Sequence, residues 1–295
     1  MKSLKSLAAV ALLATPFTVA AQDAEPETEE AIVVTGKIDP PAVEALGRAV
    51  VRPSRAGKPV ARFNAPVCVK VSGMPAEMAE LVEDRIAENI SLIRGVDVAE
   101  EGCSPNAFVG VLNGVDSTVD KLRKDEKWLF EGLLDYQIDR IYKGSSAVRA
   151  WHLFDVRNID GTSIPGSRPG GSINDLINRV EKASRRNQLR VDMAGAVVLV
   201  ETGELKEKTF RQLADYATVR ILASTTDEIS SNPAGVPTIL ELFGPGFAPE
   251  GLTEFDRSYL AALYELPANS LDGEIISAAV RRYKYAEEVP EISED

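Results

Sequence analysis

Histidine occurs once in the 295 residues and cysteine twice, so the commonest metal donors are nearly missing. Zinc takes four ligands in a structural site, and one imidazole beside two thiols cannot complete the set. No metal and no cofactor is expected. The G-x-S-x-G nucleophile elbow and the G-x-x-x-x-G-K-[ST] phosphate loop are both absent. After the first twenty-one residues no apolar run approaches the length of a membrane-spanning helix. No succession of alternating ten-residue segments suggests a membrane barrel. Basic residues are in deficit, with 33 Lys and Arg against 45 Asp and Glu and a formal charge of −12. So acidic a chain gains nothing from a phosphate backbone or an anionic lipid surface, and neither is expected as a partner.

What remains is the composition of an ordinary globular protein, 44% hydrophobic and 26% charged. Residues 1–21 have the layout of a secretory signal. Lys2 and Lys5 form a charged start, Leu7 to Ala14 an apolar stretch, and Val19-Ala20-Ala21 a small-residue cleavage site. An exported chain in the periplasm is therefore expected, with no lipid anchor because no Cys follows the cleavage site. Cys68 and Cys103 would then sit in a compartment that permits oxidation. They flank a predicted helix on what should be neighbouring strand ends, and a disulfide there would stabilise the fold by roughly 4 kcal/mol. Two buried free thiols or a two-thiolate metal site are the rival readings.

Residues 22–62 read as a linker arm. Gln22 to Glu30 is acidic and aperiodic, and the expectation there is disorder. Pro40, Pro41, Pro53 and Pro59 extend the linker character, with a short helix over Ala42 to Val50. Within the arm stands AIVVTGK, residues 31–37. Ile32, Val33, Val34, Thr35 and Gly36 resemble the TonB box of outer-membrane transporters. That resemblance implies a segment that adds a strand to the sheet of a partner such as TonB. A strand of the protein's own sheet, or a chance run, is the competing reading.

From 63 to 270 the periodicities predict an α+β domain, a mixed sheet with helices packed on it. Strands are expected at Val67–Val71, Val96–Ala99, Ala107–Leu112 and Ser146–Val156, with helices to about Arg94 and over Ser117–Leu129. His152 alternates with Ala150 and Phe154, which favours a packed, hydrogen-bonded position over a general base. Trp151, on the other face, would line a cleft or cover the sheet. Residues 157–172 are rich in Gly and Pro and read as a mobile flap, ahead of a helix capped by Ser172. Thr253 with Asp256 forms a capping-box pattern. Residues 271–295 are expected as a final helix and an acidic tail.

The stretch 194–223, AGAVVLVETGELKEKTFRQLADYATVRILA, organises the rest. Ala196 to Val200 reads as a buried strand, and a helix follows from about Lys206. Phe210, Leu213, Ala214, Ala217 and Ile221 share its buried stripe. Gln212, Asp215, Tyr216 and Val219 face the other way, over an expected cleft. This strand and helix, with the closing segment Leu252 to Tyr264, resemble the core of zincin metallopeptidases. In those enzymes the helix carries H-E-x-x-H. The best register here puts Gln212, Leu213 and Tyr216 in the three roles, and none can bind zinc well or take a proton from water. The resemblance therefore implies an uncharacterised group of secreted bacterial proteins with a zincin-like core and no catalytic motif. The expected function is a non-catalytic module that binds a protein or peptide, with Gln212, Asp215, Tyr216 and Trp151 on the binding face. The alternatives are a periplasmic accessory of TonB-linked transport, or a hydrolase using single carboxylates such as Asp215, Glu241 and Asp256.

Overall fold

The computed structural model describes residues 39–52, 58–144, 147–164, 189–226, 229, 232, 235–245 and 248–288. Its centre is β4, Leu189–Glu201. Ala196, Val198 and Val200 enter one hydrophobic cluster, while Val197 and Leu199 enter a second on the opposite face. A strand covered on both faces has no polar side to alternate with, which is why it reads as an unbroken apolar run.

Among the described residues four strands form the sheet, in the order β1-β2-β4-β3. The strands β1 (Val69–Ser72) and β2 (Ala107–Leu112) run parallel to β4. The long edge strand β3 (Val148–Asn158) pairs antiparallel with β4, with a register shift at Leu153/Phe154. Seven α-helices accompany the sheet among the described residues. On one face α2 (Ala76–Ser91) packs against α5 (Phe210–Leu222). On the other, α3 (Val115–Asp125) and α4 (Asp135–Lys143) gather Val119 and Ile141 around Trp151, Val197 and Leu199. The result is a mixed sheet between two helical layers, an α+β architecture.

Close approach shapes the start of the sheet. Gly73 follows β1 with φ +87°, and a Cβ there would lie 1.9 Å from the carbonyl oxygen of Val111. Only glycine fits that turn. Cys68, just before β1, is bonded to Cys103, with Cα atoms 6.1 Å apart. The bridge ties the 97–106 connection to the first strand.

Several boundaries differ from the sequence reading. The linker expected through residue 62 is folded from Asp39, apart from 53–57, which lie outside the described residues. Here α1 (Pro40–Val50) buries Val43, Leu46 and Val50 in the main cluster, an amphipathic stripe that the prolines on either side obscured. Arg62 is only 3% exposed, and its guanidinium donates to the carbonyls of Leu266 and Pro267 at 2.6 and 2.8 Å. Those carbonyls end α6 (Glu254–Glu265), where a cation complements the helix dipole. The final helix, α7 (Asp272–Glu288), packs on both α6 and α1, so 271–288 is part of the same core. Val96–Ala99 makes a single bridge to Val67 rather than a strand. The helix expected to reach Leu129 stops at Asp125 and continues as a 3-10 turn over Lys127–Phe130. A 3-10 turn over Thr202–Leu205 delays α5 to Phe210, where Thr209 caps it. The 31–37 segment and the helix expected after Ser172 lie outside the described residues.

Leu213 is 1% exposed within the main cluster. Leu213→Ala is expected to destabilise the protein by roughly 2–5 kcal/mol, read as a shift in the urea midpoint at unchanged m-value.

Candidate functional site

The face of α5 expected to border a cleft is closed. Gln212, Asp215, Tyr216 and Val219 are 9%, 0%, 2% and 1% exposed, and of the two-face assignment it is Phe210 that reaches solvent. Each polar group on that face is spent on architecture. Gln212 completes the capping box of α5, its Oε1 accepting from the Thr209 N–H at 2.9 Å, while its Nε2 donates to the Pro249 carbonyl at 2.8 Å. Tyr216 meets the ring of Phe243 edge-on with centroids 5.0 Å apart. Leu213, in the position where a catalytic base would stand, packs in the core.

Asp215 is the hub of the face. Arg85 of α2 grips both carboxylate oxygens, Nε at 2.8 Å and Nη2 at 3.2 Å. Asn89 donates to the same carboxylate at 2.7 Å and to Thr218 Oγ1 at 3.0 Å. The backbone N–H of Leu252 adds a bond at 2.9 Å. Gly251 permits this last contact, since a Cβ there would stand 2.5 Å from Asp215 Oδ2. Burial pushes the carboxyl pKa up, but the guanidinium, the amide and the N–H outweigh it and hold Asp215 below its ordinary value. A carboxylate so held is a poor general base. Its partners are 130 and 126 positions away in the chain, so no local pattern announces them.

Trp151 does not join this group. It sits in the opposite cluster, 1% exposed, stacked on Phe130 at 5.3 Å and donating to the Leu129 carbonyl at 3.0 Å. The proposed binding face is therefore divided by the sheet. His152 faces the α5 side, buried, with Nε2 3.0 Å from the Ile221 carbonyl; a carbonyl only accepts, so Nε2 carries the proton. Desolvation, aided by the charges of Arg220 and Arg52, lowers its pKa to about 3. It is a neutral core residue. Asp256 is equally committed, accepting from Thr238 Oγ1 at 2.6 Å, the Ile239 N–H at 2.8 Å and the Thr253 N–H at 2.9 Å. Burial raises its pKa. Among the described residues no group of three His, Cys, Asp or Glu side chains is placed to hold a metal ion.

Open concave space is found elsewhere, in a groove of about 610 Å³ between α6 and α7. Glu254, Arg257, Ser258, Ala261 and Glu265 line it from α6, at steps that keep them on one helix face. Ala278, Arg281 and Arg282 line it from α7. The alanines keep the floor low. Arg282 is paired with Glu265, and Ser258 donates to Glu254 at 3.2 Å. Arg257 and Arg281 are exposed. Sequence reading placed both helices but could not tell that these polar stripes would face each other.

The buried imidazole makes stability depend on pH. The folded pKa of His152 lies below its unfolded value of 6.5, at about 3. Its contribution is complete above 6.5 and is lost as pH falls toward 3, because the unfolded chain then binds the extra proton. The expected slope from this group approaches about 1.4 kcal/mol per pH unit. Urea denaturation at about pH 7 and about pH 4.5 should show it, and His152→Gln, which keeps a donor for Ile221, should flatten it.

Set beside known proteins, the chain matches no protein-family model, no curated protein and no solved structure.

Proposed function

We propose that this protein is a non-catalytic binding module of the periplasm, built on a zincin-like core, which takes an acidic segment of a partner protein or peptide in the α6–α7 groove. The reading of the core is supported by a central strand that feeds a long helix beside an antiparallel edge strand. The absence of catalysis is supported by the state of two of the three candidate carboxylates. Asp215 and Asp256 have their oxygens occupied by internal donors, and acid–base chemistry needs a carboxylate free to exchange a proton with substrate.

One observation carries the binding assignment: Arg257 and Arg281 stand exposed in an open groove of ligand-binding size. Guanidinium groups select carboxylates through forked, charge-assisted hydrogen bonds. The overall charge of −12 does not forbid this. At physiological salt, charges beyond about 8 Å are largely screened, so the groove's own charges, Arg257, Arg281 and Arg282 against Glu254 and Glu265, decide the local attraction.

A fluorescein-labelled peptide rich in Glu and Asp is the probe. Anisotropy should report saturable binding that Arg257→Ala with Arg281→Ala weakens about tenfold or more. A lysine-rich peptide of equal length should not bind. Cleavage of the probe by the purified protein, or equal binding by the double variant, would refute the proposal.

A further inference from the structure

The outer flank of α2 carries a second stripe beside its buried one. Met78, Leu81, Arg85, Glu88 and Leu92 follow one another in steps of three and four, the spacing of a helix-pairing seam. Their apolar members are unusually open, with Met78 at 36%, Leu81 at 59% and Leu92 at 76% exposure. Leu92 still has helical backbone angles, so the stripe extends to the very end of the helix. At its middle Arg85 Nη1 bonds Glu88 at 2.7 Å, and the Glu88 side chain is 60% exposed.

The order of these residues is self-complementary. We infer that α2 pairs antiparallel with α2 of a second copy of the chain, about a two-fold axis passing between Ile86 and Ala87. In that register Leu81 lies against the partner subunit's Leu92, and Arg85 lies against the partner subunit's Glu88. The same pairs recur on the other side of the axis, as an isologous contact requires. Two arginines and two glutamates then alternate around the axis, flanked at each end by a leucine pair. A parallel pairing in register would set Arg85 beside the partner subunit's Arg85 and Glu88 beside the partner subunit's Glu88, which like charges oppose. Arg85 is already fixed in direction by its bonds to Asp215, so it presents Nη1 without further loss of rotamer freedom.

A seam one helix long buries less than the roughly 1,200 Å² typical of a stable complex, so the dimer should be weak and form in the micromolar range. Leucines 81 and 92 on one chain are about 16 Å apart along the helix axis, which gives a sharp test of register. A Leu81→Cys chain mixed with a Leu92→Cys chain under mild oxidation should yield a crosslinked heterodimer, and each chain alone should yield little. Sedimentation velocity should show the wild-type boundary moving toward a dimer as concentration rises. Leu92→Glu should hold the protein monomeric at an unchanged melting temperature, since the side chain is exposed. A wild-type chain that stays monomeric, a dimer indifferent to Leu92→Glu, or equal crosslinking of each cysteine chain with itself would each overturn the inference. The α6–α7 groove contains none of these residues, so its peptide binding is unaffected by either outcome.

Discussion

Burial of residues 195–200 of β4 and 212–222 of α5 is the constraint from which the rest follows. An ionised carboxylate taken out of water costs several kcal/mol unless it is paired and hydrogen-bonded. Asp215 is fully buried in the middle of α5, so two other elements must converge on it. Arg85 and Asn89 arrive from α2, and the Leu252 N–H arrives from the segment that leads into α6. The bond network thereby fixes how α2 lies along α5 and how closely the 249–252 segment covers them. Gly251 is the steric condition for that cover.

The same convergence removes the cleft. A catalytic helix must show water at least one polar side chain with lone pairs to spare. Here the candidates are consumed by a capping box, an ion pair and an edge-to-face ring contact. Perturbed pKa values often mark active sites, yet at His152, Asp215 and Asp256 the shifts accompany burial and internal hydrogen bonds. Structural networks perturb titration as effectively as catalytic ones, and solvent access tells them apart.

Periodicity made much of the fold legible. The apolar run of β4, the alternation of Val148, Ala150 and His152, and the Thr253–Asp256 capping box all signal local structure through local spacing. The disulfide was legible too, from the placing of Cys68 and Cys103 on either side of α2. What could not be read depends on distant contacts. Whether α1 is linker or core is decided by α7, more than two hundred residues on, and Arg62 gives no local sign that α6 ends beside it. Assigning Gln212, Asp215 and Tyr216 to an open face rested on a helix having one dry side. Tertiary cover on both sides of α5 defeats that rule. Strand alternation sets Trp151 on the face opposite His152, and that face is filled by α3 and α4 instead of bordering a cleft.

Internal saturation also says where function can reside. Groups held in the core are unavailable to a partner, so recognition falls to surfaces whose polar or apolar groups have no inward task. The groove between α6 and α7 and the exposed apolar residues on the outer stripe of α2 both meet that condition, by different physics. In the groove, small residues lower the floor while charged ones stand at the walls, which suits a narrow charged segment. On α2, the apolar residues are flat and regularly spaced, which suits another helix. Arg85 links the second surface to the core, since the guanidinium that neutralises Asp215 also orients toward Glu88. A contact made at that stripe is therefore made against a side chain already immobilised by the fold, and loses little entropy in forming.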